Sequence, residues 1–290
     1  MAERADGVVA VAEDGRPIVG EIGLGNLVLF LGRLRRTFAN WPAIFCRLVL
    51  SSLGVRGGDI VSRARTGPVL VCPALRAAWW PVYEMLAEDL YHLGSLRDLE
   101  LGAGEVVLDI GAHVGAAALA LGRRFPAARL LCVEPNPAAC AYLERNLSAN
   151  GLAAEIRQVA VGGGEGTVTL YGAERASCEA STTFVRPGGR RQVEMVPFSR
   201  LVREAAGPVR VVKLDCEGAE HAIAAATPGD LWETVELVLL EYHTTGEPGA
   251  TFESLAAYLG ELGFETCWEV PFAWRPGLGM AAFRRAQRRR

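Results

Sequence analysis

The sequence predicts an α/β fold built on a mainly parallel sheet. Two observations carry that prediction. From Glu105 onward, apolar runs alternate with helical stretches: VVLDI (106–110), RLLCVE (129–134), AEIRQVAV (154–161), VRVVKLD (209–215) and VELVLLEYH (235–243). Strands read as unbroken apolar runs when helices cover both faces of a parallel sheet. The first run also ends in a glycine turn, DIGAHVG (109–115), that opens directly into a helix. At 290 residues, 50% hydrophobic and 22% charged, the chain can form a core without covalent staples. A net charge of −3 supplies no general basic field for nucleic acid.

Taken in order, residues 1–20 lack periodicity and read as a loose arm or short hairpin. Within 26–52, Leu27, Phe30, Leu31, Leu34 and Phe38 recur at helical spacing. Asn40-Trp41-Pro42 breaks that stretch into two helices, with Asn40 as cap and Pro42 in the first turn. PVLVC (68–72) reads as a strand and 79–93 as a helix. Helices follow at 116–124 and 137–150, the second closed by Asn150-Gly151. GTVTLYG (166–172) and RQVEMVPF (191–198) flank Pro187-Gly188-Gly189 and read as a hairpin-like insertion. A helix at 251–262 precedes FETCWEV (264–270) and GMAAFRR (279–285), two final strands forming an antiparallel edge. The chain thus divides into a mainly helical amino-terminal region, 1–100, and a sheet domain, 101–290.

Seven cysteines without a CxxC pair point to a reducing cytoplasm rather than a disulfide framework or zinc site. No signal peptide opens the chain, and no apolar run approaches the roughly 20 residues a membrane helix needs. The basic tail RRAQRRR (284–290) reads as a solvated end.

The charged residues are unusual in kind. Of 30 basic residues, 29 are Arg and one is Lys, at position 213. Arg does not replace Lys where a compact, rotatable ammonium is needed, so the surroundings of Lys213 merit attention. It stands in VKLDCEGAE (212–220), where Asp215, Glu217 and Glu220 crowd the end of the fourth strand. Pairing of Lys213 with Glu217 or Glu241 is one expectation there. Glu241 and His243 share a face at the end of the fifth strand. Asp109 ends the first strand ahead of Gly111 and Gly115, and Glu134 ends the second, placed to accept both hydroxyls of a ribose. The spacing D-x-G-x-x-x-G has His113 where a dinucleotide fingerprint would need glycine. This site suits a ligand with a ribose and a cationic amino-acid part.

VVLDIGAHVG, CVEPNP, QVAVGGGEGTVTLY, VKLDCEGAE and LLEYH together resemble the FkbM family of S-adenosylmethionine-dependent methyltransferases, over about residues 80–245. The resemblance implies a class I methyltransferase (Rossmann-like) sheet of seven strands in the order 3-2-1-4-5-7-6, with an amino-terminal helical cap over 1–100 and a cofactor-binding catalytic domain over 101–290. It implies that Asp109, Gly111, Gly115 and Glu134 hold S-adenosyl-L-methionine, with His113 (Asn in the family), Pro135, Asn136, Gln158, Ala160 and Asp215 beside them. Glu84 and Tyr91, in WWPVYEMLAEDLY, look like the family's upstream acid and tyrosine.

The expected reaction is an in-line methyl transfer, for which alignment supplies much of the rate. Asp215 and His243 are the two candidate bases for an alcohol acceptor, and Glu217 or Glu241 could orient an amide-type N–H. Asp215, Glu217 and Glu241 could ligate Mg²⁺, but the expectation is a metal-free site because Lys213 already supplies positive charge. Ser177, Ser181 and Thr182 are candidate acceptor contacts. The expected partner is a small-molecule acceptor from natural-product tailoring, with neither nucleic acid nor membrane, and a homodimer stays open. A non-catalytic cofactor-binding protein and a nicotinamide-dependent oxidoreductase are the alternatives.

Overall fold

The computed structural model describes residues 24–55, 57–96, 98–174, 176–272 and 276–286. The expected arm at 1–20 and the end of the basic tail lie outside the described residues.

Two helices open the described chain, α1 (Leu24–Thr37) and α2 (Trp41–Ser52), followed by an antiparallel pair, β1 (Asp59–Arg63) and β2 (Val69–Pro73). Asn40 stands at the N-cap position of α2, but its side chain makes no capping bond. Its amide donates to Val61 O at 2.6 Å and accepts from Arg63 N at 3.0 Å, tying the helix pair to β1. The expected helix over 79–93 is also different. It begins earlier as α3 (Arg76–Tyr83), passes into one π-helical turn (Glu84–Glu88) and stops at Asp89, which is left-handed at φ 47°. The Asp89 carboxylate accepts from Leu93 N at 3.0 Å. That local bond replaces the next helical turn.

The sheet domain then runs β3 (Val106–Ile110), α4 (Ala116–Arg124), β4 (Arg129–Val133), α5 (Pro137–Ala149), β5 (Glu155–Arg157), β6 (Ala160–Gly162), β7 (Gly166–Tyr171) and β8 (Arg190–Pro197). It continues with α6 (Phe198–Glu204), β9 (Val209–Leu214), α7 (Glu220–Ala226), β10 (Leu237–His243), α8 (Phe252–Glu261), β11 (Phe264–Pro271) and β12 (Leu278–Arg285). Seven strands form one sheet in the order β11-β12-β10-β9-β3-β4-β5. Numbered along the chain, that is 3-2-1-4-5-7-6 read from the β5 edge. β12 is antiparallel to both neighbours, and the strands from β10 to β5 are parallel.

Residues 154–161 are not one strand. β5 pairs with β4 in the main sheet, whereas β6 turns away to pair in parallel with β8, which pairs antiparallel with β7. The insertion is therefore a three-stranded sheet rather than a hairpin alone. The alternation of AEIRQVAV runs on through the break, because both halves are extended strands.

Each face of the main sheet carries a core. On β3, Val107 packs with Leu34, Phe38, Trp79 and Leu119 on one face. Val106, Leu108 and Ile110 pack with Phe198, Trp232 and Val238 on the other, as the two-residue strand period requires. Asp109 shares the parity of Val107, so it faces the side that α1 and α3 cover. No helix among the described residues is long and apolar enough to cross a membrane.

Candidate functional site

The turn after β3 brings two strand ends into contact. Gly111 holds φ 77°, and a Cβ there would lie 1.8 Å from the Asp215 carbonyl oxygen. Only glycine fits both the torsion and the space. Asp215 N donates to Ile110 O at 3.2 Å across the same contact. A Cβ on Gly115, at φ 90°, would lie 2.8 Å from a Leu143 methyl, so this glycine lets α4 approach α5.

Lys213 stands beside this turn, in register with Asp109 on the neighbouring strand. It does not pair with Glu217 or Glu241. Its ammonium lies 3.3 Å from Asp109 Oδ1 and 3.3 Å from Asp215 Oδ2, and donates to Ile110 O at 3.2 Å and Gly111 O at 2.6 Å. Burial pulls its pKa down, but Asp215 and Asp109 outweigh that and hold it well above the usual lysine value. Burial pushes the Asp109 carboxyl up, with Lys213 opposing.

Glu134 is fixed by backbone donors. Oε2 accepts from His113 N and Oε1 from Asn136 N, both at 2.8 Å. Burial raises its pKa to about 7. His113 is itself left-handed at φ 49°, and its Nε2 lies 3.1 Å from Ala176 O. Burial lowers its pKa to about 4, so the ring is neutral.

These ends open into a cavity of about 710 Å³. Gly111, His113, Glu134, Pro135 and Ala160 line it from the β3–β6 side, and Glu84, Tyr91, Asp215, Glu217 and Glu241 line it elsewhere. Five of the expected residues do not reach it. Asp109 is sealed under Lys213, and Gly115 faces Leu143. Asn136 is buried with its side chain accepting from Ala138 N at the start of α5. Gln158 is exposed because the chain turns between β5 and β6. His243 lies behind the carboxylates.

His243 is 3% exposed. Its Nδ1 is 3.3 Å from Glu220 Oε1, and its Nε2 is 3.7 Å from both Glu217 Oε2 and Glu241 Oε1. Burial opposes the charge, yet Glu220, Glu217 and Glu241 raise its pKa to about 10. The ring is thus an imidazolium at neutral pH, contrary to the expectation of a base. Glu220 is held below the usual carboxylate range although burial opposes it. His243 and the Cys216 N–H dominate there. Burial pushes Glu217 to about 7 and Glu84 to about 8, and Glu241 well above the carboxylate range, with Asp215 adding in each case. Tyr91 is buried at 3% exposure and stays protonated.

The segment after β7 closes over this cluster. Ser177 and Thr182 line the cavity, but Ser181 is buried and donates to Glu217 O at 2.8 Å. Glu217 is left-handed at φ 51°, and Arg186 donates to its Oε2 at 3.3 Å. Asp215, Glu241 and His243 each offer a ligand atom within 4.8 Å of the others. That is a different trio from the expected one, and it could take a cation only with His243 deprotonated.

Sequence reasoning passed over α3. Arg76 and Trp80 both line the cavity, and the guanidinium lies 5.3 Å from the Trp80 ring. Their i,i+4 spacing on one helix face was visible in RAAWWPVY.

The model of the methyltransferase FkbM domain matches residues 109–266, which spans β3 through the early part of β11. Methyltransferase sdnD of Sordaria araneosa is 25% identical over 215 residues, covering 63% of this chain and 80% of that protein. Methyltransferase 1 of Beauveria bassiana (strain ARSEF 2860) is 24% identical over 192 residues, covering 59% and 76%. Among solved structures, the precorrin-6y C5,15-methyltransferase of Geobacter metallireducens GS-15 aligns at 12% identity over 69% of this chain and 88% of that one, with a TM-score of 0.39. The family match takes in the glycine turn, the Glu134 strand end and the whole Lys213–His243 cluster, and the chain belongs to the FkbM family of S-adenosylmethionine-dependent methyltransferases.

Proposed function

We propose that the protein transfers a methyl group to a hydroxyl or carbamoyl-type nitrogen of a small-molecule acceptor, as a tailoring step on a natural product in the cytoplasm. The observation that carries this reading is the acid-lined cavity at the carboxyl ends of β3, β4, β9 and β10. Its donor set suits S-adenosylmethionine. Gly111 allows close approach to the backbone, Glu134 is an oriented acceptor for a ribose diol, and a group of carboxylates faces a cationic ligand. When bound, the cofactor supplies an electrophilic methyl on a cationic sulfur.

In this reading, Glu134 keeps a free lone pair on each oxygen for the ribose hydroxyls, while His113 N and Asn136 N hold it in place. Pro135 and Ala160, on the same wall, would flank the adenine of the cofactor. Asp215, oriented by Lys213, receives the methionine ammonium. Glu84 and Tyr91 close the opposite wall. The proton released by the acceptor goes to Glu217, whose pKa of about 7 suits a base at neutral pH. His243 is a positioning residue that holds Glu217 and Glu241 from behind. Residues 1–100 act as the cap and 101–290 as the catalytic domain, supported by Phe30, Arg33 and Trp80 on the cavity wall. The reading is metal-free, because Lys213 and the His243 imidazolium already supply positive charge among the carboxylates.

Calorimetry with S-adenosylhomocysteine tests the cofactor assignment. Glu134→Ala removes a buried charged acceptor worth about 1.5–3 kcal/mol, so the affinity falls tenfold or more. An unchanged dissociation constant refutes the assignment. Activity lost to EDTA and restored by Mg²⁺ refutes the metal-free reading.

A further inference from the structure

Among the described residues three Lys or Arg side chains line the cavity, and two of them have their charge answered within the protein. Arg33 donates to Glu88 at 2.5 Å, and Lys213 has four oxygen neighbours. Arg76 is different. Its Nη2 is buried without a hydrogen-bond partner, and the guanidinium makes no ion pair among the described residues. Its guanidinium carbon lies over the Trp80 ring, 5.3 Å from the centroid, a cation–π contact that uses none of its N–H donors. Burial lowers its pKa, and the acids acting on it from a distance are Glu179 and Glu84.

Arg76 is half-buried, and a buried N–H donor such as its Nη2 is costly unless a ligand completes it. Its planar fork matches a carboxylate bidentately. The position favours the acceptor over the cofactor. The two ends of an amino-acid group lie close together, so a methionine carboxylate stays near Asp215. Asp215 pairs with Lys213 and not with Arg76, and the two acids acting on Arg76 are Glu179 on the exposed rim and Glu84 on the cavity wall. The rest of the wall near α3 is apolar, with Phe30, Trp80, Pro81 and Met85.

We propose that Arg76 receives a carboxylate carried by the methyl acceptor, so that the substrate class is an apolar acid. This rests on the methyltransferase reading of the same cavity. The test uses two probes with one apolar body, 1-naphthoate and 1-naphthalenemethanol, titrated into protein saturated with S-adenosylhomocysteine. The wild type binds the acid at least tenfold more tightly than the alcohol. Arg76→Gln abolishes that preference, Arg76→Lys keeps part of it, and both bind S-adenosylhomocysteine within twofold of wild type. No acid preference in the wild type, or one that survives in Arg76→Gln, overturns the proposal. A tenfold loss of S-adenosylhomocysteine affinity in Arg76→Gln also overturns it, by assigning Arg76 to the cofactor. Failure of the wild type to bind S-adenosylhomocysteine at all refutes the methyltransferase reading instead.

Discussion

Replacing Lys213 by Met keeps most of the side-chain stem and removes the ammonium. Asp109 then becomes a carboxylate at 0% exposure with no hydrogen-bond partner on either oxygen. The carbonyls of Ile110 and Gly111 lose their donor as well. Breaking a buried ion pair in this way costs about 3–5 kcal/mol. For a domain of this size that corresponds to a fall in Tm of roughly 6 °C or more. Adding Asp109→Asn removes the stranded charge and should recover at least half of the loss. Lys213→Arg should not rescue, because the ammonium is held at 2.6–3.3 Å by four oxygens of Asp109, Ile110, Gly111 and Asp215, a compact cage that a longer, planar guanidinium does not match. Urea unfolding followed by circular dichroism, with calorimetry, measures all four proteins. A Lys213→Met protein within 1 kcal/mol of wild type, or no recovery on adding Asp109→Asn, refutes the reasoning.

Gly111→Ala should cost about 2–5 kcal/mol, combining about 1–2 for a left-handed alanine with about 1–3 for overpacking against the Asp215 backbone. Gly260→Ala, in α8 with nothing within 4 Å of the added Cβ, should instead stabilise by about 0.5–1 kcal/mol, and denaturant midpoints read both signs. His243 has its pKa raised to about 10 from about 6.5 unfolded, so its stabilisation is complete below the unfolded value and is lost as pH rises through 10. Between pH 7 and 9.5 the Tm of wild type should therefore fall more than that of His243→Gln, and equal falls would remove this linkage. Glu217→Gln should lower kcat by about 10²–10⁴ and flatten the pH–rate profile near 7, with S-adenosylhomocysteine affinity nearly unchanged; full turnover would remove Glu217 as the base.

The centre of the main sheet was legible because β3, β4, β9 and β10 are largely apolar runs. β1 was not, since DIVSR acquires meaning only opposite β2 and Asn40. The break at 158–159 was hidden because both flanking segments are extended and no glycine or proline separates them. Of the site, Asp215, Glu217, Glu241 and Glu134 could be placed from their positions at strand ends. The protonation of His243 could not, because Glu220, Glu217 and Glu241 reach it from two separate segments. The pairing of Lys213 was misplaced because the partner across the sheet register, Asp109, lies over a hundred residues away in sequence. Arg76 was missed because an arginine in an apolar helix looks like any surface cation until its donors are counted.

Lys213 has one more consequence, for proteolysis. An endoprotease that cuts only after lysine finds a single bond in this sequence, Lys213–Leu214, inside β9 at the centre of the main sheet. Lys213 and Leu214 are 2% and 5% exposed, so the bond enters a protease cleft only when the central sheet comes apart. Local fraying, which normally confounds such experiments, contributes no cuts. The appearance of one pair of fragments therefore counts sheet-opening events in native buffer, and with slow cleavage its rate tracks the opening equilibrium. A ligand that binds the folded state slows this cut according to its occupancy, giving a label-free reading of binding.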